Sequence, residues 1–314
     1  MRNRPLTVLA SACGLLMLAG APALATPSPV SARSSVKPSI SPVRIVTYNA
    51  EYGRSADTVA ADMKKLADAG ADVIGLQEMG SPNRRVAVRE RFTDCARCEF
   101  DAFMPNTREQ NAVPILYDSS KLRLIETGTS KVSSATFVGK SGAGPSTLKS
   151  KYVNWVLLRQ RISGQKMYVL NSHAVPSVQG AGGARNRNHP ARLKLYRQHM
   201  KGLQAMITEF EATGAAVFST GDFNVNYRRD SVVRDKMFPY HKMAQVGVYA
   251  SYKFLGMPTT GTHNSSKRGG GNRLIDYVFS LAHAAVSARG QKILTGFTSD
   301  HRPVMVRYRL TYTR

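Results

Sequence analysis

The chain reads as an α/β fold built on mixed sheets, and its strand pattern carries that reading. Short apolar runs of strand character recur from end to end: Ile45-Val46, Val73-Ile74-Gly75-Leu76, Met167-Tyr168-Val169-Leu170, Val217-Phe218, Val278-Phe279 and Val304-Met305-Val306. Only a few helical stretches stand between them, so strands and helices do not alternate strictly as an all-parallel sheet requires. Each run also meets a polar motif: Thr47-Tyr48-Asn49, Gln77-Glu78, Asn171-Ser172-His173, Gly221-Asp222-Phe223-Asn224, Ile275-Asp276-Tyr277 and Ser299-Asp300-His301. Polar groups at the ends of several strands can converge on one crevice.

Taken in order, residues 1–25 are expected to be a secretory signal peptide. Arg2 and Arg4 precede an apolar stretch from Leu6 to Gly20, and Ala23-Leu24-Ala25 supplies a small-residue cleavage site. Residues 26–42, rich in Ser, Pro and Val, cannot bury a core and are expected to be a disordered leader. The motifs spread over the rest, which favours one domain across residues 43–314. Val59, Met63 and Leu66 predict a helix over Ala56–Ala69, closed by Gly70. With the strand Asp72–Gln77 it gives a β-α-β start. Cys95 and Cys98, in an exported chain, are expected to form a local disulfide. Ala112–Tyr117 and Lys121–Glu126 read as a hairpin about Asp118-Ser119-Ser120. Lys131–Ser150, rich in Ser, Gly and Lys, reads as an exposed loop. Tyr152–Ile162 and Lys166–Ser172 read as a second hairpin about Ser163-Gly164. The clearest helix is Pro190–Glu211, with Leu193, Tyr196, Met200, Leu203, Ile207 and Phe210 on one stripe.

The six motifs, in their order, resemble those of the DNase I-like superfamily of endonucleases, exonucleases and phosphatases, from about Arg44 to Leu310. The resemblance implies a four-layer sandwich of two mixed β-sheets flanked by helices. It also implies a divalent-metal-dependent phosphodiester hydrolase. Glu78 would ligate the metal, helped by Asn49 and Asp300; a carboxylate ending an apolar strand is costly unless paired or metal-bound. The alternative for Glu78 is an ion pair with Arg84. Hard oxygen ligands suit magnesium or manganese, with calcium a further candidate. Asp222 and Asn224 share one face of an extended segment; by resemblance they orient water and contact phosphate, the alternative being an Asx-turn. His173 and His301 would face the phosphate, with Asp276 fixing the tautomer of His301. His189, His199, His241 and His263 are read as structural, His263 being the one nearest a motif. The family's tyrosine before the Pro114–Tyr117 strand is missing, and Arg108 or Asn111 could substitute. Asn154 could face the phosphate, whereas Trp155 reads as core.

Formal net charge is +24, a field that attracts polyanions. Arg228 and Arg229 follow Asn224, and Lys267 and Arg268 precede Asp276, as a positive rim would. This favours a nucleic-acid substrate, DNA before RNA, hydrolysed by a secreted, extracellular monomer with no stable membrane insertion. The competing readings are a sphingomyelinase-type phospholipid phosphodiesterase and a small phosphate-ester phosphatase. A lipid enzyme would be expected to carry an aromatic-rich hairpin, and Lys131–Ser150 holds only Phe137.

Overall fold

In the computed structural model, residues 39–105, 107, 109–141, 144–263, 272–282 and 285–312 are described. The signal peptide, most of the leader, Arg108, Lys267 and Arg268 lie outside them. The elements run β1 (Ser39–Asn49), α1 (Ala56–Asp68), β2 (Val73–Gln77), α2 (Pro82–Val88), β3 (Phe100–Phe103), β4 (Ile115–Asp118), β5 (Leu122–Ser133), β6 (Thr136–Ser141) and β7 (Gly144–Leu148). They continue with β8 (Lys151–Gln160), β9 (Lys166–His173), α3 (Pro190–Glu211), β10 (Ala216–Asp222), α4 (Tyr227–Val233), α5 (Pro239–Ala244), β11 (Val248–Ala250), α6 (Ser251–Leu255), β12 (Asp276–Leu281), β13 (Val286–Ile293) and β14 (Val304–Tyr312).

Two six-stranded sheets result, ordered β13-β14-β1-β2-β4-β3 and β11-β12-β10-β9-β8-β5. Each holds one parallel pair at its centre, β1 with β2 and β9 with β10, among antiparallel neighbours. The sheets are therefore mixed, as the strand pattern predicts. Strand alternation explains the layers. On β2, Val73 joins the core between the sheets, whereas Ile74 and Leu76 pack with Val59, Met63 and Leu66 of α1. Against the other sheet, α3 buries Tyr196, Met200, Leu203, Ile207 and Phe210. Helix α1 starts where the Ser55 hydroxyl accepts from Thr58 N and ends before Gly70, whose φ of 83° suits a glycine. Among the described residues no helix is long and apolar enough to cross a membrane.

Three expectations are corrected. Strand β1 takes in Ser39–Pro42, read from composition as leader, by pairing with Arg309–Tyr312 of β14. Proline is tolerated there because β2 pairs only from Ile45 onward, leaving the other side of Pro42 without a ladder. The expected hairpin about Asp118 does not form: β4 pairs with β2 and β3, and β5 pairs with β8 in the other sheet. The turn passes from sheet to sheet, held by the Asp118 carboxylate accepting from Ser120 and Lys121. Lys131–Ser150 is not a loop either; β5 extends to Ser133, and β6 and β7 form a two-stranded hairpin. Cys95 and Cys98 are joined in a disulfide.

Candidate active site

The terminal rung of the second sheet's central strands assembles half of the site. His173 ends β9, Asp222 ends β10 and Asp276 begins β12, and register places Asp222 opposite both others. Asp222 Oδ2 lies 3.4 Å from His173 Nε2 and 3.8 Å from His301 Nε2. The Asp276 carboxylate takes His301 Nδ1 at 2.9 and 3.1 Å, and its main chain is tied to Thr262. Directly after β10, Asn224 turns into the left-handed region at φ 55°. Its N–H donates to Asp222 Oδ1 at 2.8 Å, so the Asx-turn forms in place of the expected extended segment, and both side chains still reach His173 Nε2. Asn224 Nδ2 donates to Ala174 O at 3.1 Å and lies 3.2 Å from His173 Nε2.

The first sheet supplies the mouth. Asn49 ends β1; its Oδ1 accepts from Glu51 N, and its Nδ2 reaches Glu78 Oε1 at 3.1 Å and Asp222 Oδ2 at 3.2 Å. Asn49 is thus the link between the two halves. Glu78 follows β2 at φ 64°, which ends the strand and turns its side chain inward. Its Oε2 accepts from Tyr52 N at 2.6 Å. Arg84 is engaged elsewhere than that carboxylate; its guanidinium donates to the Glu51 and Glu78 carbonyls. Before β14, Ser299 Oγ donates to Asn49 O, Asp300 N donates to Glu51 Oε2, and His301 is delivered to Asp276.

Beneath the mouth a polar lock joins the sheets. Gln77 Nε2 donates to Asn171 Oδ1 at 2.7 Å and to Thr47 Oγ1 at 3.1 Å, and Thr220 Oγ1 donates to Asn171 Oδ1 at 3.0 Å. All four side chains are fully buried. Gly75 makes room for them: a Cβ there would fall 2.1 Å from Thr220 Oγ1. Thr47, Gln77 and Asn171 sit inside the polar motifs and Thr220 just before one, yet only their strand-end neighbours attract notice in the sequence.

Burial and charge set the electrostatics. Burial opposes the ionised form of Asp222, but the His173 hydrogen bond and the charge of His301 outweigh it and hold the carboxyl well below its ordinary range. Burial likewise opposes the imidazolium of His301, and the Asp276, Asp222 and Asp300 carboxylates together push it up to about 10. His199 is buried beneath Ser172 and, through burial and the Lys151 charge, falls to about 3; it is a neutral structural histidine. Lys151, at the head of β8, stands in none of the polar motifs. Burial lowers its pKa, and Asp222 and Glu78 are the carboxylates whose charge it feels.

Glu78, Asp222, Asp276 and Asp300 crowd one crevice. Histidines stand as close ionic neighbours of the last three, and amide donors as the partners of the first. Carboxylate oxygens gathered in this way fit a hard divalent cation. Two groups of three ligand-type atoms lie within 4.8 Å, Asp222/Asp276/His301 and His263/Asp300/His301. Glu78 belongs to neither group; it is joined instead to Asn49, whose Nδ2 reaches its Oε1 at 3.1 Å.

The expected substrate contacts fare differently. Asn154 is fully buried, its Nδ2 donating to the Gln110 and Val113 carbonyls and its Oδ1 accepting from Thr129. It pins the 110–113 segment and does not face a phosphate, because every hydrogen on its amide is already engaged. Asn111 is buried in that segment with Oδ1 unpartnered. Arg228 donates to the Pro258 and Thr259 carbonyls, and Arg229 to the Ala181 carbonyl. Both therefore act as loop ties.

Residues 46–301 match the model of the endonuclease/exonuclease/phosphatase family. No curated protein sequence matches the chain. Among solved structures, the mannosyl-6-phosphatase of Bacteroides thetaiotaomicron is similar at a TM-score of 0.62 and 16% identity, covering 85% of this chain and 99% of that one. An endonuclease/exonuclease/phosphatase family protein of the same organism gives 0.61 and 15%, covering 87% and 99%. D. rerio TDP2 complexed with a single strand DNA product gives 0.57 and 18%, covering 85% and 99%. At these identities the structures speak for the fold, and the family match speaks for kinship: the chain belongs to the endonuclease/exonuclease/phosphatase family, whose members are metal-dependent phosphoesterases.

Proposed function

We propose that the protein is an exported, monomeric nuclease that hydrolyses DNA, and RNA with it, using magnesium or manganese. The observation that carries this reading is the contrast between crevice and chain. An acid-lined crevice suited to a divalent cation sits in a protein of net charge +24, which draws a polyanion to it. The similarity to TDP2 in complex with DNA supports the reading, and the similarity to a mannosyl-6-phosphatase names its competitor.

The residues divide the reaction as follows. Asp222, held ionised, takes the proton from the attacking water. Water oxygen bonds to phosphorus as the bond to the leaving ester oxygen breaks. His301, charged and fixed by Asp276, donates through Nε2 to a phosphoryl oxygen. His173, beside Asp222 and Asn224, returns a proton to the departing oxygen. Glu78 and Asp300, with Asn49 alongside, would hold a divalent cation, which when bound would neutralise phosphate charge.

A second reading draws on the β6–β7 hairpin, which leaves Phe137 59% exposed and could touch lipid. One assay separates the readings: supercoiled plasmid, RNA, sphingomyelin vesicles and a sugar phosphomonoester tested together, with and without chelator. The nuclease reading expects nicking of the plasmid that chelator abolishes. Turnover of the phosphomonoester or the vesicles alone would overturn it.

A further inference from the structure

His263 sits in the crevice, 7% exposed, with its main chain bridging Arg273 on one side and His301 on the other. Its ring stands edge-on to that of His301 at 4.6 Å between centroids. Each ring nitrogen has a polar neighbour. Arg273 Nη2 lies 3.0 Å from Nδ1, and Asp300 Oδ2 lies 3.5 Å from Nε2.

A guanidinium offers donors and no acceptor, so Nδ1 of His263 must accept. A neutral imidazole with no proton on Nδ1 carries it on Nε2, where it points at Asp300. A metal-ligating histidine needs the reverse: a lone pair at Nε2 and the proton on Nδ1, which here would face the arginine. His263, Asp300 and His301 therefore lie as close as a ligand trio without His263 being one of the ligands. Asp300 has few other restraints. Its N–H donates to Glu51 at 2.8 Å, but its Oδ1 is 3.9 Å from His301 Nε2, and its side chain is 38% exposed.

We infer that Arg273 and His263 form a positioning chain, in which Arg273 selects the tautomer and His263 Nε2–H holds the Asp300 carboxylate toward the crevice. The inference rests on the reading of Asp300 as a metal ligand. His263 touches neither substrate nor reacting atoms; it acts through Asp300.

The test is calorimetric titration of Mn2+ into the metal-free full-length protein, without substrate. The set comprises wild type, His263→Gln, His263→Asn, His263→Leu, Arg273→Met and Asp300→Ala, with thermal unfolding as the folding control. Gln sets its amide nitrogen where Nε2 stands, whereas Asn reaches only the Nδ1 position. The Leu and Asn variants are expected to weaken Mn2+ binding about 10–100-fold, the usual cost of losing a group that orients a ligand. Gln should restore most of the affinity, and Arg273→Met should lose less than Leu. Wild-type affinity in the Asn and Leu variants, with binding lost in Asp300→Ala, would overturn the positioning chain while leaving the metal reading intact. Equal loss in Gln, Asn and Leu would make His263 a ligand and overturn it as well. Unchanged binding in Asp300→Ala would remove the reading of Asp300 as a ligand, and the inference with it. The Gln and Asn pair decides the matter even if the Leu variant does not fold.

Discussion

The two sheets contribute acids of opposite kind to one crevice. On the side of the second sheet, Asp222 is 2% exposed and Asp276 is fully buried, and each has a histidine against it. On the side of the first sheet, Asp300 is 38% exposed, and Glu78 stands at the mouth with main-chain and amide donors as its partners. Buried carboxylates without such partners would take up protons; the His173 hydrogen bond and the His301 charge hold Asp222 well below its ordinary range, whereas burial still leaves the Asp276 carboxyl above its own, with His301 fixing its orientation. The mouth carboxylates remain open to an added ligand. The difference teaches that burial, and not residue type or a histidine neighbour alone, sets these acids apart, since Asp300 has His263 and His301 beside it as well.

The largest expected effect tests that division. Asp222→Asn and His301→Ala are predicted to lose about 10²–10⁴-fold in turnover, the scale of a positioned acid–base group, and excess Mg2+ should not restore it. Glu78→Gln is predicted to fall by about 10–100-fold in apparent metal affinity and to recover partly as Mg2+ is raised. A metal titration of turnover checks both, and recovery of Asp222→Asn by metal would collapse the distinction.

A buried acid without a histidine sharpens the contrast. Asp230 is fully buried; its Oδ2 accepts from Tyr240 N, its Oδ1 has no partner, and burial pushes its pKa up to about 7. The folded-state value lies above the unfolded one. The stability that the neutral carboxyl contributes is therefore complete below the unfolded value near 3.8 and is lost as pH rises toward 7. Asp230→Asn keeps an acceptor and removes the titration. It is predicted to match wild type near pH 4 and to exceed it near pH 7, by as much as a few kcal/mol at about 1.4 kcal/mol per pKa unit. Urea unfolding at the two pH values measures this, and a pH-independent difference would refute it.

Two smaller effects follow. Gly75→Ala should destabilise by about 1–3 kcal/mol, the usual cost of overpacking, because the added carbon meets the Thr220 and Asn171 side chains. Denaturant midpoints check it; an unchanged midpoint would mean that the polar lock yields easily. Replacing Arg228 and Arg229 by Gln should flatten the salt dependence of DNA binding by about 0.9 in log–log slope for each phosphate no longer neutralised. Hydrolysis of a small diester is the control. Identical slopes would leave these arginines as loop ties alone.

Much of the site is legible in the sequence because a polar residue ending an apolar strand is conspicuous. His173, Asp222 and Asp276 fall on one rung for that reason. Sheet membership is less legible. Periodicity says which face of a strand is buried, but not which strand lies beside it, so β4 and β5 look like a hairpin and belong to different sheets. Lys151 draws no notice because lysine is ordinarily a solvated residue. Asn154 looks like a ligand because its amide chemistry suits a phosphate as well as it suits the carbonyls it holds. The helix α3 is legible to its ends because Pro190 and Gly214 mark them with residues of distinctive backbone preference.

Glu78 and Asn224 both occupy left-handed backbone. Asparagine tolerates that conformation, but a long-chained glutamate does so at a cost of roughly 1–2 kcal/mol. A library of variants screened only for heat resistance would therefore be drawn toward glycine at position 78, and its survivors would lack the carboxylate proposed to hold the cation. Directed evolution of this enzyme has to score turnover in every round, because at that position thermal selection alone pulls away from function.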